Sequence, residues 1–242
     1  VAPSILIPVI VTAAIQSVFG VGVLLFGTPI LLLLGYDFVT TLTVLLPISV
    51  SINLIQIAMH RAQVDWALFR RILLYTIPFV VIGLVAVTEI KINVDYVVGP
   101  FLVVVALKDF SKRVGAMVTA MMRYQRTYLM TMGLLHGLTN LGGSLLTALV
   151  HARGYGKNAT RVTTAVGYAT FAVFQIVTLA VTARGIHLDY GEHALYVGAG
   201  VAVFVLVDRL LYVNLDDARY RRLFALFLFA SGCLLTYKAF AH

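Results

Sequence analysis

Eight apolar runs free of Lys, Arg, Asp and Glu punctuate this chain, at residues 1–36, 38–59, 72–88, 96–107, 127–150, 162–183, 194–207 and 223–237. One helical crossing of a bilayer takes about 20 apolar residues. Runs 38–59 and 162–183, at 22 residues each, meet that length directly. Runs 96–107 and 194–207 reach it only if end residues such as Lys108, Asp208 and Arg209 snorkel or face the protein interior. The runs cover the whole length and leave no stretch for a separate soluble domain. The membrane part is therefore the protein itself, not an anchor.

The 242 residues are 61% hydrophobic and 12% charged, about half the charge of a soluble domain. A net charge of +8 would point to nucleic acid in a soluble protein. Here Lys and Arg gather in short loops, as the positive-inside rule requires, and no nucleic-acid partner is expected. The single cysteine, Cys233, lies in an apolar run, so no disulfide framework or cysteine metal cluster can form. No basic region precedes the first apolar run, so the N-terminus does not read as a cleaved signal peptide.

Loop charge sets the topology. Arg61, Arg70 and Arg71 follow the second run; Lys108, Lys112, Arg113, Arg123 and Arg126 follow the fourth. Arg153, Lys157 and Arg161 follow the fifth; Arg209, Arg219, Arg221 and Arg222 follow the seventh. The loops after the third and sixth runs hold only Lys91 and Arg184, beside acidic residues, and the first loop holds only Asp37. With basic loops in the cytoplasm, runs 2–4 and 6–8 alternate as single crossings. Run 5 has basic residues on both sides, so it must start and end in the cytoplasm. A hairpin of two half-helices does that, turning at Asn140-Leu-Gly142-Gly143-Ser144.

The first run repeats the pattern. It is too long for one ordinary span and is interrupted at Gln16-Ser17-Val-Phe-Gly20-Val-Gly22. Phe19-Gly20-Val-Gly22 aligns with Thr139-Asn140-Leu-Gly142 at an offset of 140 − 20 = 120, and Gly35-Tyr36 echoes Gly154-Tyr155. The expected fold is an all-α integral membrane protein of two inverted repeats, each a broken-helix hairpin followed by three transmembrane helices. The first repeat spans 1–113 (hairpin about 4–35, helices about 38–59, 72–90 and 94–111). The second spans 114–242 (hairpin about 127–152, helices about 160–183, 194–213 and 221–240). Such repeats with broken helices are the architecture of secondary transporters. Broken helices also expose N-terminal N–H groups, whose dipole favours an anion.

The candidate substrate-binding residues follow from the breaks. Gln16, Ser17, Gly20 and Gly22 flank the first; His136, Thr139, Asn140, Gly142, Gly143 and Ser144 flank the second. Asn53 and Gln56 share a face of the second span, and Gln175 is their rough counterpart. Each has a plainer reading. Glycines pack membrane helices, serine bonds a backbone carbonyl, asparagine caps a half-helix and amides glue helices together. Thr28 is a weaker candidate, His60 reads as interfacial, and Lys108 could face a cytoplasmic vestibule. No carboxylate lies deep in a long apolar run. No cofactor or metal is expected. Coupling to H⁺ or Na⁺ stays open, with histidine the best proton carrier and backbone carbonyls at the breaks able to hold Na⁺.

The order of motifs resembles the TauE/SafE (TSUP) family of sulfite and organosulfonate exporters. The resemblance rests on Gly20-x-Gly22, Pro29, Gly35 and the tract His60-Arg-Ala-Gln-Val-Asp65-Trp66. It continues through Gly133…Gly137…Asn140-Leu-Gly142-Gly143-Ser144 to Asp216-Asp217-Ala-Arg-Tyr-Arg-Arg-Leu-Phe-Ala. It implies a transporter of a small sulfur-containing anion such as sulfite, thiosulfate or sulfoacetate, working by alternating access, and not an enzyme. The expected setting is the bacterial cytoplasmic (inner) membrane, multi-pass, among lipids, as a monomer or homodimer. Two alternatives remain at this stage: an anion channel, and an intramembrane hydrolase with Ser144 as nucleophile and His136 as base.

Overall fold

A computed structural model describes residues 2–90, 94–182, 189–210 and 217–241. Among them the chain is all-α. The first half holds α1 (Pro3–Phe19), α2 (Val23–Leu33), α3 (Phe38–His60), α4 (Trp66–Tyr75), α5 (Ile77–Ile90) and α6 (Asp95–Phe110). The second half holds α7 (Lys112–Arg123), α8 (Gln125–Thr139), α9 (Gly143–His151), α10 (Lys157–Thr182), α11 (Tyr190–Leu210) and α12 (Asp217–Ala241). Four stretches are long and apolar enough to cross a membrane: Phe38–Gln63, Trp66–Ile90, Lys157–Thr182 and Tyr190–Asp208. Tyr96–Leu107 and Leu226–Phe240 are shorter apolar helices. The chain is an all-α membrane protein.

Local chemistry sets the helix ends. The Asp37 carboxylate accepts from Thr40 N–H (2.9 Å) and starts α3, and the Asp65 carboxylate accepts from Leu68 N–H (2.9 Å) and starts α4. Ser111 caps α7 through Val114 N–H. The helix expected at 72–90 begins earlier, at Trp66, because Asp65 is a good cap and Arg70 and Arg71 lie on its exposed side. The stretch 112–123, read from its charge as part of a loop, is the helix α7. It buries none of its residues and exposes Met117 and Met121 beside its basic ends. Lys91, Arg184, Asp216 and the helix end expected at 213 lie outside the described residues, as do the side chains of Lys108 and Arg209.

The packing has an internal correspondence. α1 lies on α11 as α8 lies on α5; α2 lies on α3 as α9 lies on α10; α11 meets α3 as α5 meets α10. Then α3 packs along α10, and α6 along α12. The α5–α8 crossing is backbone-close: a Cβ on Gly137 would lie 2.2 Å from Val80 O. Small residues allow such approaches between membrane helices. The end of α3 meets the start of α10, since Ile57 packs with Val162 and Val166 and Asp65 N–H donates to Thr163 Oγ1 (3.1 Å). The two central helices are therefore antiparallel.

Candidate functional site

Both hairpins break at their expected tracts. α1 ends at Gly20, in the left-handed conformation (φ 77°), whose N–H donates to Gln16 O (2.8 Å). α8 ends at Asn140, also left-handed (φ 61°), whose N–H donates to His136 O (2.7 Å). Asn140 is the one described non-glycine residue with positive φ, a conformation asparagine tolerates better than most. Its role is thus to end α8 rather than to cap the start of α9, whose N-cap, Gly142, makes no side-chain bond. The chain then doubles back tightly. A Cβ on Gly22 would lie 2.6 Å from Gln16 N and Thr12 O; one on Gly142 would lie 2.7 Å from His136 N and 2.5 Å from Met132 O. Gln16 and His136, and Thr12 and Met132, are each 120 residues apart, so the two breaks are built on one template.

Their side chains differ. At the first break Gln16 Nε2 donates to Asn53 Oδ1 (3.1 Å) and Gln56 Oε1 (3.3 Å), while Gln16 Oε1 accepts from Val23 N–H (2.9 Å). Asn53 Nδ2 donates to Ser49 Oγ (3.0 Å), and Gln56 Nε2 to Gly20 O (3.4 Å). Every amide group of Gln16, Asn53 and Gln56 has a partner. Ser17 Oγ donates to Ala14 O (2.7 Å), the plainer of its two readings.

At the second break His136 Nε2 bonds Gln175 Oε1 (3.2 Å), and Asn140 Nδ2 donates to Thr28 Oγ1 (2.9 Å). Thr139 Oγ1 donates to Leu135 O (2.6 Å) and accepts from Leu141 N–H (3.1 Å). Ser144 Oγ donates to Leu141 O (2.9 Å), not to His136. Four buried atoms here have no partner among the described residues: His136 Nδ1, Asn140 Oδ1, Gln175 Nε2 and the Tyr168 hydroxyl. His136, Asn140 and Gln175 are 0% exposed. Phe171 and Tyr168 of α10 wall the imidazole, with ring centroids 4.6 and 6.5 Å away. Gly143 lies under the Tyr168 ring, where a Cβ would come within 2.3 Å of the hydroxyl.

The candidates therefore form two clusters, Gln16–Asn53–Gln56 and His136–Gln175, and the Asn140–Thr28 bond ties the second hairpin to α2 of the first. Gln56 lies next to Ile57, which packs at the level of Val162–Val166, and Gln175 is nine residues beyond Val166. At 1.5 Å per residue the clusters lie about 14 Å apart along the bundle.

Sequence reasoning missed two residues here. Tyr168 was not singled out within its apolar run. Arg161, counted with the basic loops, instead donates to Ser17 O (3.1 Å) at the C-terminal end of α1 and pairs with Asp208 (2.7 Å). A cation there complements the negative end of the helix dipole. Its Cγ lies 2.9 Å from where a Gly20 Cβ would project. Asp208 was read as a residue that snorkels or faces inward if its short run is to span, and it faces inward. Nearby, Asp65 binds the Tyr155 hydroxyl and lies 3.7 Å from Arg153. Burial works to raise its carboxyl, but the Tyr155 hydroxyl, the Leu68 N–H and Arg153 outweigh that and hold it below the usual carboxylate range. Thus the tract after α3 is tied to the loop before α10.

No metal-holding group of three or more His, Cys, Asp or Glu occurs among the described residues. No curated protein and no solved structure matches the chain. The sequence model of the Sulfite exporter TauE/SafE family matches residues 5–235. Two glycine-tight helix breaks in an all-α membrane bundle fit that match, which takes in nearly the whole length: the chain belongs to the Sulfite exporter TauE/SafE family of membrane transporters.

Proposed function

We propose that the chain carries a small sulfur-containing anion by alternating access, with the second break as its binding station. The carrying observation is the trio His136 Nδ1, Asn140 Oδ1 and Gln175 Nε2, buried with no partner among the described residues. Each unpaired buried polar atom costs about 1–3 kcal/mol. A small polar ligand that pairs with them recovers much of that.

The trio also speaks to coupling. Gln175 Oε1 is an acceptor, so His136 Nε2 carries the proton and the neutral ring presents Nδ1 as an acceptor. With the Tyr168 hydroxyl the break then offers two acceptors, an amide donor and a hydroxyl, but no positive charge to match an oxyanion. A proton on Nδ1 adds a donor and a positive charge together. Anion and proton therefore enter as a pair, and affinity rises as pH falls. Tyr168 is the titratable side chain beside the ring, and α5, packed on the other side of α8, presents Val80, Gly83 and Leu84 there. Sulfite, thiosulfate and small sulfonates such as sulfoacetate carry the oxygens that such donors would pair with.

Matching break geometry 120 residues apart, and packing pairs that interchange between halves, support two inverted repeats, 1–113 and 114–242. Basic loops on the cytoplasmic side then put Asp37 outside and Lys157 inside. Asp37→Cys should react with an impermeant thiol reagent from outside and Lys157→Cys only from inside. Labelling of both from one side sinks the inverted topology. For the site, thermal stabilisation by sulfite, thiosulfate, sulfoacetate, isethionate and sulfate is measured at acidic and alkaline pH. Stabilisation by a sulfur oxyanion that strengthens with acidity is expected. A ligand response that His136→Ala and Gln175→Ala both leave intact removes the station from this break.

A further inference from the structure

A cleft lies between α4 and α8, away from the breaks. Arg70, Arg71, Leu74, Tyr75, Gln125, Arg126 and Leu129 line a cavity of about 410 Å³, within the range of small-molecule sites. Three guanidinium groups share this cleft, and among the described residues none of them pairs with a carboxylate. Arg71 donates to Gln125 Oε1. That bond orients the amide and leaves Gln125 Nε2, buried and without a partner, as a further donor. The Arg126 guanidinium lies over the Tyr75 ring, 5.6 Å from its centroid. α8 starts here, and its N-cap, Tyr124, makes no side-chain bond, so the dipole adds to the same sign. The lining offers donors and positive charge and no acidic group.

What lies around the cleft selects the source of the anion. Leu74, on its wall, is 64% exposed, and Leu73 beside it is also exposed. The neighbouring α7 exposes Met117, Met121 and the flanking Tyr124 between Lys112, Arg113 and Arg123. A short helix with apolar residues exposed beside basic ends lies in the membrane interface. The cleft therefore opens at headgroup depth, with apolar surface leading away from it. We propose that it holds the phosphate of an anionic phospholipid headgroup, with the acyl chains lying along Leu74. Basic clefts between membrane helices bind such headgroups. The lipid would hold α4, which begins the third span, against α8, which carries His136, and so connect the surrounding membrane to the second break.

The test uses the full-length protein in nanodiscs of phosphatidylcholine alone or mixed with phosphatidylglycerol. Melting is measured, and lipid retained after detergent extraction is read by native mass spectrometry. The wild type should keep one phosphatidylglycerol and melt higher in the mixed discs. Arg70→Gln/Arg71→Gln/Arg126→Gln should lower retention about a hundredfold and abolish the shift. Arg126→Gln alone, the milder variant should the triple not fold, should lower retention several-fold. A control, Arg61→Gln/Arg113→Gln/Arg123→Gln, removes the same charge elsewhere and should retain the lipid. Equal loss in the control assigns the effect to overall surface charge and overturns the site. No retained lipid in the wild type also overturns it. So does stabilisation of detergent-purified protein by free glycerol phosphate as strong as by the lipid, which would make this a soluble-anion site.

Discussion

At Gly20 and at Asn140 the chain turns with similar left-handed dihedrals, and the residue two further on touches equivalent backbone atoms of the preceding half-helix. The first break is closed by its own amides: Gln16, Asn53 and Gln56 satisfy one another, Val23 N–H and Gly20 O. The second leaves an imidazole nitrogen, an amide oxygen, an amide nitrogen and the Tyr168 hydroxyl without partners among the described residues. One backbone template thus carries two different sets of side-chain bonds. In a membrane interior a half-satisfied polar group is costly, and that difference is the ground for the proposed binding station.

The largest effects should ignore that difference. Gly22→Leu and Gly142→Leu each drive a side chain into backbone less than 3 Å away. Each should cost on the order of 3 kcal/mol or more and remove folded protein from a size-exclusion trace. Survival of one but not the other would break the shared template. Next, Asp208→Asn leaves Arg161 without its carboxylate beside the first break, where both side chains are largely buried. A loss of about 3 kcal/mol in stability is expected, read as a lower melting midpoint, and a neutral result would show that the joint does not depend on this pair.

The third comparison separates the two ends. Gln16→Ala unpairs groups on α2 and α3 and should cost about 2 kcal/mol, with anion affinity in the folded fraction little changed. Gln175→Ala should do the reverse, with stability within about 1 kcal/mol and affinity down about tenfold. Calorimetric melting with and without sulfite distinguishes them, and the opposite pattern would move the station to the first break. The smallest effect is the most diagnostic. His136→Gln places at the second break the residue type that the first break carries. Modest ligand binding should remain, but its increase with acidity should vanish. A retained pH dependence would take the proton away from His136.

Much of this was legible in one dimension. Uncharged runs gave the membrane helices, basic residues on both sides of 127–150 gave a hairpin, and the offset of 120 paired Gly20 with Asn140. These features are local or periodic, and a bilayer turns them directly into geometry. The misses came where charge was read without periodicity. Residues 112–123 looked like a loop because they are basic at both ends, yet their apolar side chains lie exposed on a helix. Arg70 and Arg71, read only as topology signals, also line a cleft with Arg126. Arg161, read the same way, also meets Asp208 and the end of α1.

The sequence by itself determined that this is an all-α membrane protein broken twice at equivalent places. Glycine, asparagine and loop charge dictate that through local sterics and the cost of burying ions. Only the tertiary structure decided which break closes on itself. The partners of Gln16 lie 37 and 40 residues away and that of His136 lies 39 away. Near-equal separations give fully paired amides at one break and open amide and imidazole valences at the other. The reason is that α3 presents Asn53 and Gln56 together, while α10 presents Gln175 with Tyr168 and Phe171. Hydrogen-bond completion depends on which side chains two packed helices bring to one point, and no run of residues read alone encodes that.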